Sequence, residues 1–245
     1  MTSPPERLVP LEGSVNFRDL GGWRTDDGRA LRYGRLFRSD ALHRLSDADL
    51  LRLRDGLGLR TQIDLRASHE IESEGRGPLA APPVAYHHFP FFDGPREAGE
   101  RPAGGLAEIY FAMLRYARRP IASALETLAA SAEPSVFHCA AGKDRTGVLA
   151  AVVLGALGVA DGDIVEDYAY TRRVLPRILE RLRESEAYQH VFTELPPDTL
   201  HAEPATMEAL LALARREWGS LRGYARYAGV SEAALAGLEA WLLEE

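Results

Sequence analysis

A cysteine and an arginine six positions apart, Cys139 and Arg145, are the residues of this chain best suited to covalent chemistry. Cys139 is the only cysteine among the 245 residues, and residues 138–147 around it read HCAAGKDRTG. A thiolate is a strong nucleophile, and a guanidinium can hold two phosphoryl oxygens in bidentate fashion. The pattern therefore predicts attack by Cys139 on a phosphate ester that Arg145 holds in place.

The residues on either side of this loop predict a strand before it and a helix after it. Residues 134–138, PSVFH, form a short, partly β-branched stretch behind a proline, which favours a buried strand. Residues 148–154 are continuously apolar and are followed by Gly158, a typical helix C-terminal glycine. In such a unit the loop amides and the positive end of the helix dipole point at one spot. That nest binds a dianion and favours a thiolate.

Composition adds weight to the loop, because the loop holds a residue that the rest of the chain lacks. Of the 29 Lys and Arg residues, Lys143 is the only lysine. An ammonium is a compact charge that an arginine fork does not replace. The alternative is that Cys139 is a small buried hydrophobe and that Gly142 and Gly147 are simple turn residues. The lone lysine favours the functional interpretation.

The loop resembles the signature of the bacterial tyrosine/serine protein phosphatase family, of the tyrosine-protein phosphatase B-like type. Other segments that resemble motifs of this family are residues 16–22 (NFRDLGG), 34–39 (GRLFRS), 63–66 (IDLR), 167–168 (DY) and 218–224 (WGSLRGY). The resemblance implies a cysteine-dependent protein-tyrosine phosphatase that needs no cofactor. With it, the predicted substrate-binding residues are Ala140, Ala141, Gly142, Lys143 and Thr146.

The leaving alkoxide needs a proton, which calls for a carboxylic acid near the loop. Asp144 is the first candidate because it lies in the loop, and the family resemblance implies the same role. The alternative is that Asp144 orders the loop by pairing with Arg145 or Lys143. Asp64, at the end of a predicted strand, is the second candidate, and Asp93, in a loop, is the third.

Several further residues are expected to support the site. Thr146 either donates to the sulfur or merely occupies the first helical turn. His138 either orients the Cys139 backbone and adds positive field or packs as a neutral histidine. The residues expected to brace the site through hydrogen bonds are Asn16, Arg18 and Asp19.

Lys143 widens the range of predicted substrates. It offers a second cation for polyphosphorylated ligands, and its pairing with Arg145 resembles loops of phosphatases that accept phosphoinositides. The predicted partners are therefore phosphorylated proteins, through phosphotyrosine or phosphoserine and phosphothreonine, or phosphoinositide head groups. An enzyme specific for phosphoinositides and a non-catalytic phosphate-binding module remain as alternatives.

The rest of the chain predicts an α/β fold in which strands come first and helices dominate later. The predicted strands are residues 36–38, 61–65 and 84–89. The predicted helices are one begun by a capping box at 46–49, then 106–117, 121–128, 163–173, 175–183, 205–218 and 232–243, with a break or restart at Pro120. This order, with the resemblance, indicates a protein-tyrosine-phosphatase-like central sheet with flanking helices and a helical C-terminal lid or cap.

One phosphatase domain is expected to span residues 1–245. Its catalytic α/β core is predicted at 14–171, a helical lid or cap at 172–231 and a C-terminal helix at 232–245. The lid is implied by the resemblance. The apolar stripes of residues 175–189 and 205–218 either close over the pocket or complete the core.

Composition excludes several classes of function. A net charge of −7 gives no reason to expect nucleic-acid binding. The uncharged apolar run at residues 147–160 is too short to span a bilayer, and residues 1–13 show no apolar signal-peptide segment. A single cysteine suits a reducing compartment. We therefore expect a protein of the cytoplasm, or one exported without a visible signal peptide.

Three chemistries compete with a cysteine phosphatase. A binding module without catalysis could dispense with the thiol or the acid, and both are present. Arsenate reduction commonly needs resolving thiols in the same chain, which has none. A metallophosphatase needs clustered ligands, whereas the seven histidines are scattered, and His87 and His88, if on one strand, point to opposite faces. No metal is therefore expected.

Overall fold

A computed structural model describes residues 7–93, 105–189 and 200–245 as a five-stranded sheet surrounded by helices. The strands are β1 (Arg18–Asp19), β2 (Leu36–Ser39), β3 (Thr61–Asp64), β4 (Ala85–His88) and β5 (Ser135–His138). The helices are α1 (Asp47–Leu51), α2 (Ser68–Glu74), α3 (Leu106–Tyr116), α4 (Arg118–Ser131), α5 (Asp144–Ala156), α6 (Asp161–Tyr170), α7 (Leu175–Arg183), α8 (Pro204–Trp218), α9 (Leu221–Ala228) and α10 (Glu232–Leu242).

The sheet places three strand ends side by side. Its order is β1-β2-β5-β3-β4, with β1 antiparallel to β2 and the other neighbours parallel. Phe137 of β5 lies between Arg38 of β2 and Ile63 of β3. In parallel sheets ligands bind beyond the carboxyl ends of the strands. The loops after β2, β5 and β3 therefore meet at the edge where Cys139 begins the loop to α5.

The helix α5 is buried on nearly every side, which explains its uninterrupted apolar sequence. Residues 146–154 are all buried, and Gly158, with φ 84°, lies just past its C-terminus. The hydrophobic effect thus fixes the axis of α5 in the core. Its N-terminus then faces the edge of the sheet where β5 ends.

The C-terminal helices differ in what they cover. The helix α8 packs against α3 and α6, α9 against α5, and α10 against α4, and all three contribute to the main hydrophobic core. The helix α7 packs instead in a small cluster formed by Val15, Val174 and Ile178, with Ala141 and Leu182 alongside. Because Ala141 belongs to the cysteine loop, α7 contacts that loop, while α8 to α10 complete the core.

Most predicted elements are found close to their predicted positions. The capping box at Ser46 and Asp49 starts α1, which continues into a π-helical turn at Arg52–Gly56. The helix predicted at 163–173 spans Asp161–Tyr170 and ends in a 3-10 turn at Thr171–Arg173. The elements that the sequence patterns did not predict are β1, α2 and α9, each only two to eight residues long. Elements so short carry too few residues for a hydrophobic period to show.

The described residues contain no candidate for a membrane-spanning helix. None of their helices combines the length and the apolar character that a bilayer span requires.

Two helix glycines give a direct test of this packing. A Cβ on Gly155 of α5 would lie 2.5 Å from Cδ1 and 2.8 Å from Cβ of Leu221, whereas a Cβ on Gly162 of α6 would meet nothing within 4 Å. Gly155→Ala is expected to lower the free energy of unfolding by about 1–3 kcal/mol through overpacking. Gly162→Ala is expected to raise it by about 0.4–1 kcal/mol, by reducing the entropy of the unfolded chain. Urea unfolding checks both, and equal effects at the two positions would contradict the packing of α9 on α5.

Candidate active site

The cysteine loop is held from behind through its carbonyl groups. The backbone N–H of Ala41 donates to the carbonyl of Ala140 at 2.9 Å. Asn16 Nδ2 donates to the carbonyls of Ala141 and Gly142 at 3.2 and 3.3 Å, and Arg38 Nη2 donates to that of Gly142 at 2.7 Å. Within the described parts of the chain, the N–H groups of residues 140, 141 and 142 have no acceptor. These amides are available to an anion on the opposite side of the loop.

Gly142 makes the close approach between the loop and β2 possible. Its φ is 65°, and a Cβ there would lie 2.6 Å from both the N of Asp40 and the carbonyl oxygen of Ser39. Any side chain at this position would push the loop away from the strand end. The role of Gly142 is therefore to let the backbone fold tightly enough to form a cradle.

A fully buried ion cluster fixes the donors that grip the loop. Asp167 of α6 accepts from Arg18 Nε at 3.0 Å and also pairs with Arg38 Nη1. Although burial works in the opposite direction, the charges of Arg18 and Arg38 hold the pKa of Asp167 below its ordinary value. Burial and the neighbouring Arg38 lower the pKa of Arg18 to about 10, so Arg18 remains cationic at neutral pH. Arg18 also donates to the side chain of Asn16, which links the cluster to the loop.

Arg145 is oriented by a partner that sequence reasoning missed. Glu70 of α2 forms a two-point ion pair with its guanidinium, with Nη2 and Oε1 2.9 Å apart. Burial alone raises the pKa of Glu70, but the charge of Arg145 and the hydrogen bonds from it outweigh burial and lower that pKa to about 2. The N–H of Ala67 donates to the same carboxylate at 2.7 Å. The guanidinium is therefore fixed before any ligand binds.

Asp144 lies at the first turn of α5 and pairs with its neighbours through one oxygen. Tyr110 Oη donates to Asp144 Oδ1 at 2.6 Å, and Lys143 Nζ lies 3.1 Å from the same oxygen. The Lys143 ammonium also donates to the carbonyl of His201 at 3.1 Å. The Asp144 side chain is 33% exposed, so it remains open on its other side.

The other two acid candidates are bound elsewhere. Asp64 is fully buried and accepts from Arg66 at both oxygens, from Tyr86 Oη at 3.1 Å, and lies 3.7 Å from His138. Burial alone raises the pKa of Asp64, but the His138 and Arg66 interactions outweigh burial and lower it. Asp93 accepts from the N–H and hydroxyl of Ser68 at the surface. Among the described residues, neither carboxyl forms a hydrogen bond or an ion pair with residues 139–147.

The remaining predicted residues divide by what they contact. Asp19 accepts from the N–H groups of Gly21 and Gly34, each at 2.7 Å, and so braces the turn beside β1 rather than the loop. The buried hydroxyl of Thr146 has no hydrogen-bond partner in the described segments. His138 Nε2 lies 2.9 Å from Gln62 Nε2, and burial lowers the pKa of His138 to about 4. His138 is therefore neutral at pH 7 and adds no positive field.

The cysteine of the loop is buried, and α7 contacts the loop at one residue. Cys139 is 1% exposed, and Ala141 packs against the cluster that contains Ile178 of α7. Beyond α7, Ser185 Oγ donates to Glu74 at the end of α2 at 2.5 Å, and His43 lies 2.8 Å from the same carboxylate. Burial and the nearby Glu70 carboxylate raise the pKa of Tyr188, which follows Ser185 and stays a phenol. Of the predicted lid, residues 190–199 lie outside the described residues.

No group of three His, Cys, Asp or Glu residues among the described residues is placed to hold a metal ion. The charged groups at the site are Arg145 and Lys143, with the carboxylates of Glu70 and Asp144 that pair with them.

Comparison with known proteins places this geometry in a family. A model described as the tyrosine phosphatase family matches residues 9–244, which include the cysteine loop and every element above. The chain belongs to the tyrosine phosphatase family. The resemblance seen in the sequence is confirmed, as are the predicted α/β fold with its central sheet and the prediction of a tyrosine phosphatase enzyme.

Two relatives show how far the similarity extends. The triple specificity protein phosphatase PtpB of Mycobacterium tuberculosis is 36% identical over 279 aligned positions, which cover 95% of this chain and 98% of the relative. A tyrosine-protein phosphatase of Nostoc commune is 30% identical, over 80% of this chain and 69% of that protein. The crystal structure of P. aeruginosa TpbA is 19% identical with a TM-score of 0.36, over 79% of this chain and 97% of that one.

The buried ion cluster makes a prediction about stability. Asp167→Asn leaves Arg18 and Arg38 buried with no anionic partner, so the free energy of unfolding is expected to fall by about 3–5 kcal/mol. The matched control is Asp161→Asn, because Asp161 pairs with Arg215 at the surface, and its loss is expected to stay below about 1 kcal/mol. Urea unfolding measures both, and losses of equal size would show that the buried cluster contributes no more than a surface pair.

His138 makes a prediction about pH. The pKa of His138 is about 6.5 in the unfolded chain and about 4 in the folded protein. Between these two pH values the unfolded chain binds a proton that the folded protein does not, so the free energy of unfolding decreases as pH falls through that range. The loss attributable to this one group is at most about 3 kcal/mol. His138→Gln is expected to show a shallower fall in the free energy of unfolding between these pH values. Parallel pH profiles for the two proteins would mean that His138 is already protonated in the folded state.

Proposed function

We propose that this phosphatase hydrolyses phosphomonoesters through a cysteinyl-phosphate intermediate. The observation that carries the proposal is the loop itself. Its carbonyls are held from behind, the N–H groups of residues 140–142 have no acceptor among the described residues, and Cys139 begins the loop at the end of the central strand. Preorganised donors aimed at developing charge are usually the largest single contribution to catalysis. Arg145, already oriented by Glu70, completes the set of donors for the phosphoryl oxygens.

The reaction proceeds in two displacements at phosphorus. In the first, Cys139 Sγ forms a bond to phosphorus as the ester oxygen leaves, and protonated Asp144 gives that oxygen its proton. In the second, water attacks phosphorus, its proton passes to Asp144, and the S–P bond breaks to release inorganic phosphate and the thiolate. Thr146, whose hydroxyl has no partner in the described segments, donates to the departing sulfur.

Asp144 is the proposed acid and base because of its position. It lies in the first turn of α5 with a partly exposed side chain, whereas Asp64 is buried with Arg66 and Tyr86 on its oxygens. We assign Asp64 a supporting role beneath the loop, along with His138. The ion pair between Lys143 and Asp144 also supports the alternative role, in which Asp144 orders the loop. One carboxylate can order the loop and act as the acid.

The proposed substrates are phosphotyrosine, phosphoserine and phosphothreonine in proteins, and phosphoinositide head groups. The relative in Mycobacterium tuberculosis is named as a triple specificity protein phosphatase, which supports a broad range. The lone ammonium of Lys143 lies within the loop and supplies a second cation beside Arg145. An enzyme specific for phosphoinositides is the alternative that this same cation favours.

We propose that residues 172–231 include the cover of this site and that α7 is the part that must move. The burial of Cys139 and the packing of Ala141 against the cluster that contains Ile178 of α7 support a shift of α7 that opens the loop to substrate. The helices α8 and α9 belong to the main core and stay in place. A single cysteine is consistent with work in a reducing compartment such as the cytoplasm.

Two substitutions test the mechanism. Cys139→Ser is expected to abolish hydrolysis of an aryl phosphate that the wild-type protein cleaves in the presence of excess chelator. Asp144→Asn is expected to cost about 10²–10⁴-fold with alkyl phosphates and much less with activated aryl phosphates, because a good leaving group needs no proton. Full activity of Cys139→Ser rejects the covalent route, and equal losses for all leaving groups remove Asp144 as the acid. A wild-type protein that binds phosphate without any turnover is a binding module.

A panel of substrates separates the proposed range from its alternative. Phosphate release from phosphotyrosine, phosphoserine and phosphothreonine peptides and from phosphoinositides is expected for the broad range. Release from phosphoinositides alone would establish the narrower enzyme.

A further inference from the structure

The two oxygens of the Asp144 carboxylate have different surroundings. Oδ1 accepts from Tyr110 Oη at 2.6 Å and lies 3.1 Å from Lys143 Nζ. Oδ2 has no hydrogen-bond partner among the described residues, and a third of the side chain is exposed to solvent. Oδ1 is therefore hydrogen-bonded within the protein, whereas Oδ2 is available to a substrate or to water.

The donor to Oδ1 is itself held by a second tyrosine. Tyr110 and Tyr168 are both buried, their hydroxyl oxygens lie 2.9 Å apart, and their rings meet edge to face. Each hydroxyl has one proton. Because the proton of Tyr110 points to Asp144, the contact between the two phenols must be a donation from Tyr168 to Tyr110. The chain therefore runs in one direction, from Tyr168 through Tyr110 to the carboxylate.

Burial keeps both tyrosines in the protonated form that such a chain needs. Burial and the Asp144 carboxylate raise the pKa of Tyr110 well above 10, and the same two causes raise that of Tyr168. Both groups remain phenols over the whole pH range in which a phosphatase works. Tyr168 is also fixed by close packing, since a Cβ on Gly147 of α5 would lie 3.0 Å from its ring.

We propose that Tyr110 is a positioning residue that reserves Asp144 Oδ2 for both proton transfers of the reaction, with Tyr168 setting the direction of its hydroxyl. The inference rests on the proposed function, in which Asp144 is the acid and the base. Oδ2 gives its proton to the ester oxygen as the S–P bond forms and the P–O bond breaks. It takes a proton from water as the new O–P bond forms and the S–P bond breaks. Oδ1 keeps its bond from Tyr110 in both steps.

Lys143 alone cannot fix the carboxylate in this way. An ammonium is a point charge on a flexible stem, and it pairs equally well with either oxygen. A phenol on a packed ring has one hydroxyl at a fixed place. Without the Tyr110 hydroxyl, the carboxylate is free to turn, and Oδ2 is aligned with the leaving oxygen for only part of the time.

The test is Tyr110→Phe, which removes one oxygen and keeps the ring. With aryl and alkyl phosphates of graded leaving-group strength, kcat/KM is expected to fall about 10- to 100-fold for the poorest leaving groups, the size of a misplaced catalytic group. Activated aryl phosphates are expected to react nearly as fast as with the wild-type enzyme. In Tyr110→Phe combined with Asp144→Asn, the additional loss is expected to vanish. A Tyr110→Phe loss that is equal for all leaving groups, or that adds fully to that of Asp144→Asn, overturns the proposal.

A matched control is available in α9, at a buried tyrosine whose hydroxyl contacts α3, the helix of Tyr110. Tyr224 is equally buried and donates from its hydroxyl to the carbonyl of Leu114 at 2.7 Å, far from the acid in the hydrogen-bond network. Tyr224→Phe is expected to destabilise the fold while changing kcat/KM by the same factor for every leaving group. If Tyr110→Phe fails to fold, Tyr168→Phe replaces it and is expected to show a smaller loss with the same dependence on the leaving group. A flat profile for Tyr168→Phe in that case counts against the proposal.

The outcomes separate this inference from the function on which it rests. If Asp144→Asn shows no dependence on the leaving group, the acid role itself fails. If Asp144→Asn shows the dependence and Tyr110→Phe does not, only the positioning role of Tyr110 fails.

Discussion

The direction of three peptide carbonyls is the constraint on which this site depends. Those of residues 140, 141 and 142 are bound from behind by Ala41, Asn16 and Arg38, and the N–H groups between them consequently point to the opposite side of the loop. The donors stay in place because Asp167 neutralises Arg38 and Arg18 in the interior. Removing the buried carboxylate would leave two buried positive charges without a partner. The same ion cluster therefore stabilises both the fold and the loop.

Each of the two cations proposed to bind the phosphate has a carboxylate partner in the structure. Arg145 pairs with Glu70, and Lys143 pairs with Asp144. Such pairing keeps the charges oriented and limits the repulsion between the two neighbouring cations. A phosphate dianion entering the loop adds a second anionic partner for both cations. In the proposed reaction the lysine then binds the ligand close to Asp144, the proposed acid, which couples substrate binding to proton delivery.

The sequence predicts the cysteine loop well because its parts are contiguous. Strand, glycine-containing turn and apolar helix follow one another within 25 residues. Lys143 and Asn16 stand out further because they are the only lysine and the only asparagine of the sequence. Glu70 and Tyr110 escape prediction because they reach the loop only through the order of the sheet and the packing of α2 and α3. Neither differs in type or spacing from an ordinary helix residue. The neutral state of His138 also escapes prediction, because it follows from burial in the folded protein and not from its neighbours in the chain.

The most direct measurement is chemical trapping of the intermediate. Wild-type protein mixed with a phosphotyrosine substrate and quenched in acid within the first turnover should contain phosphate bound to Cys139, located by mass spectrometry of the peptide that carries the loop. The adduct should form no more slowly than product and should decay at the rate at which inorganic phosphate appears. Turnover without any such adduct, or with phosphate on another residue, would contradict attack by this sulfur.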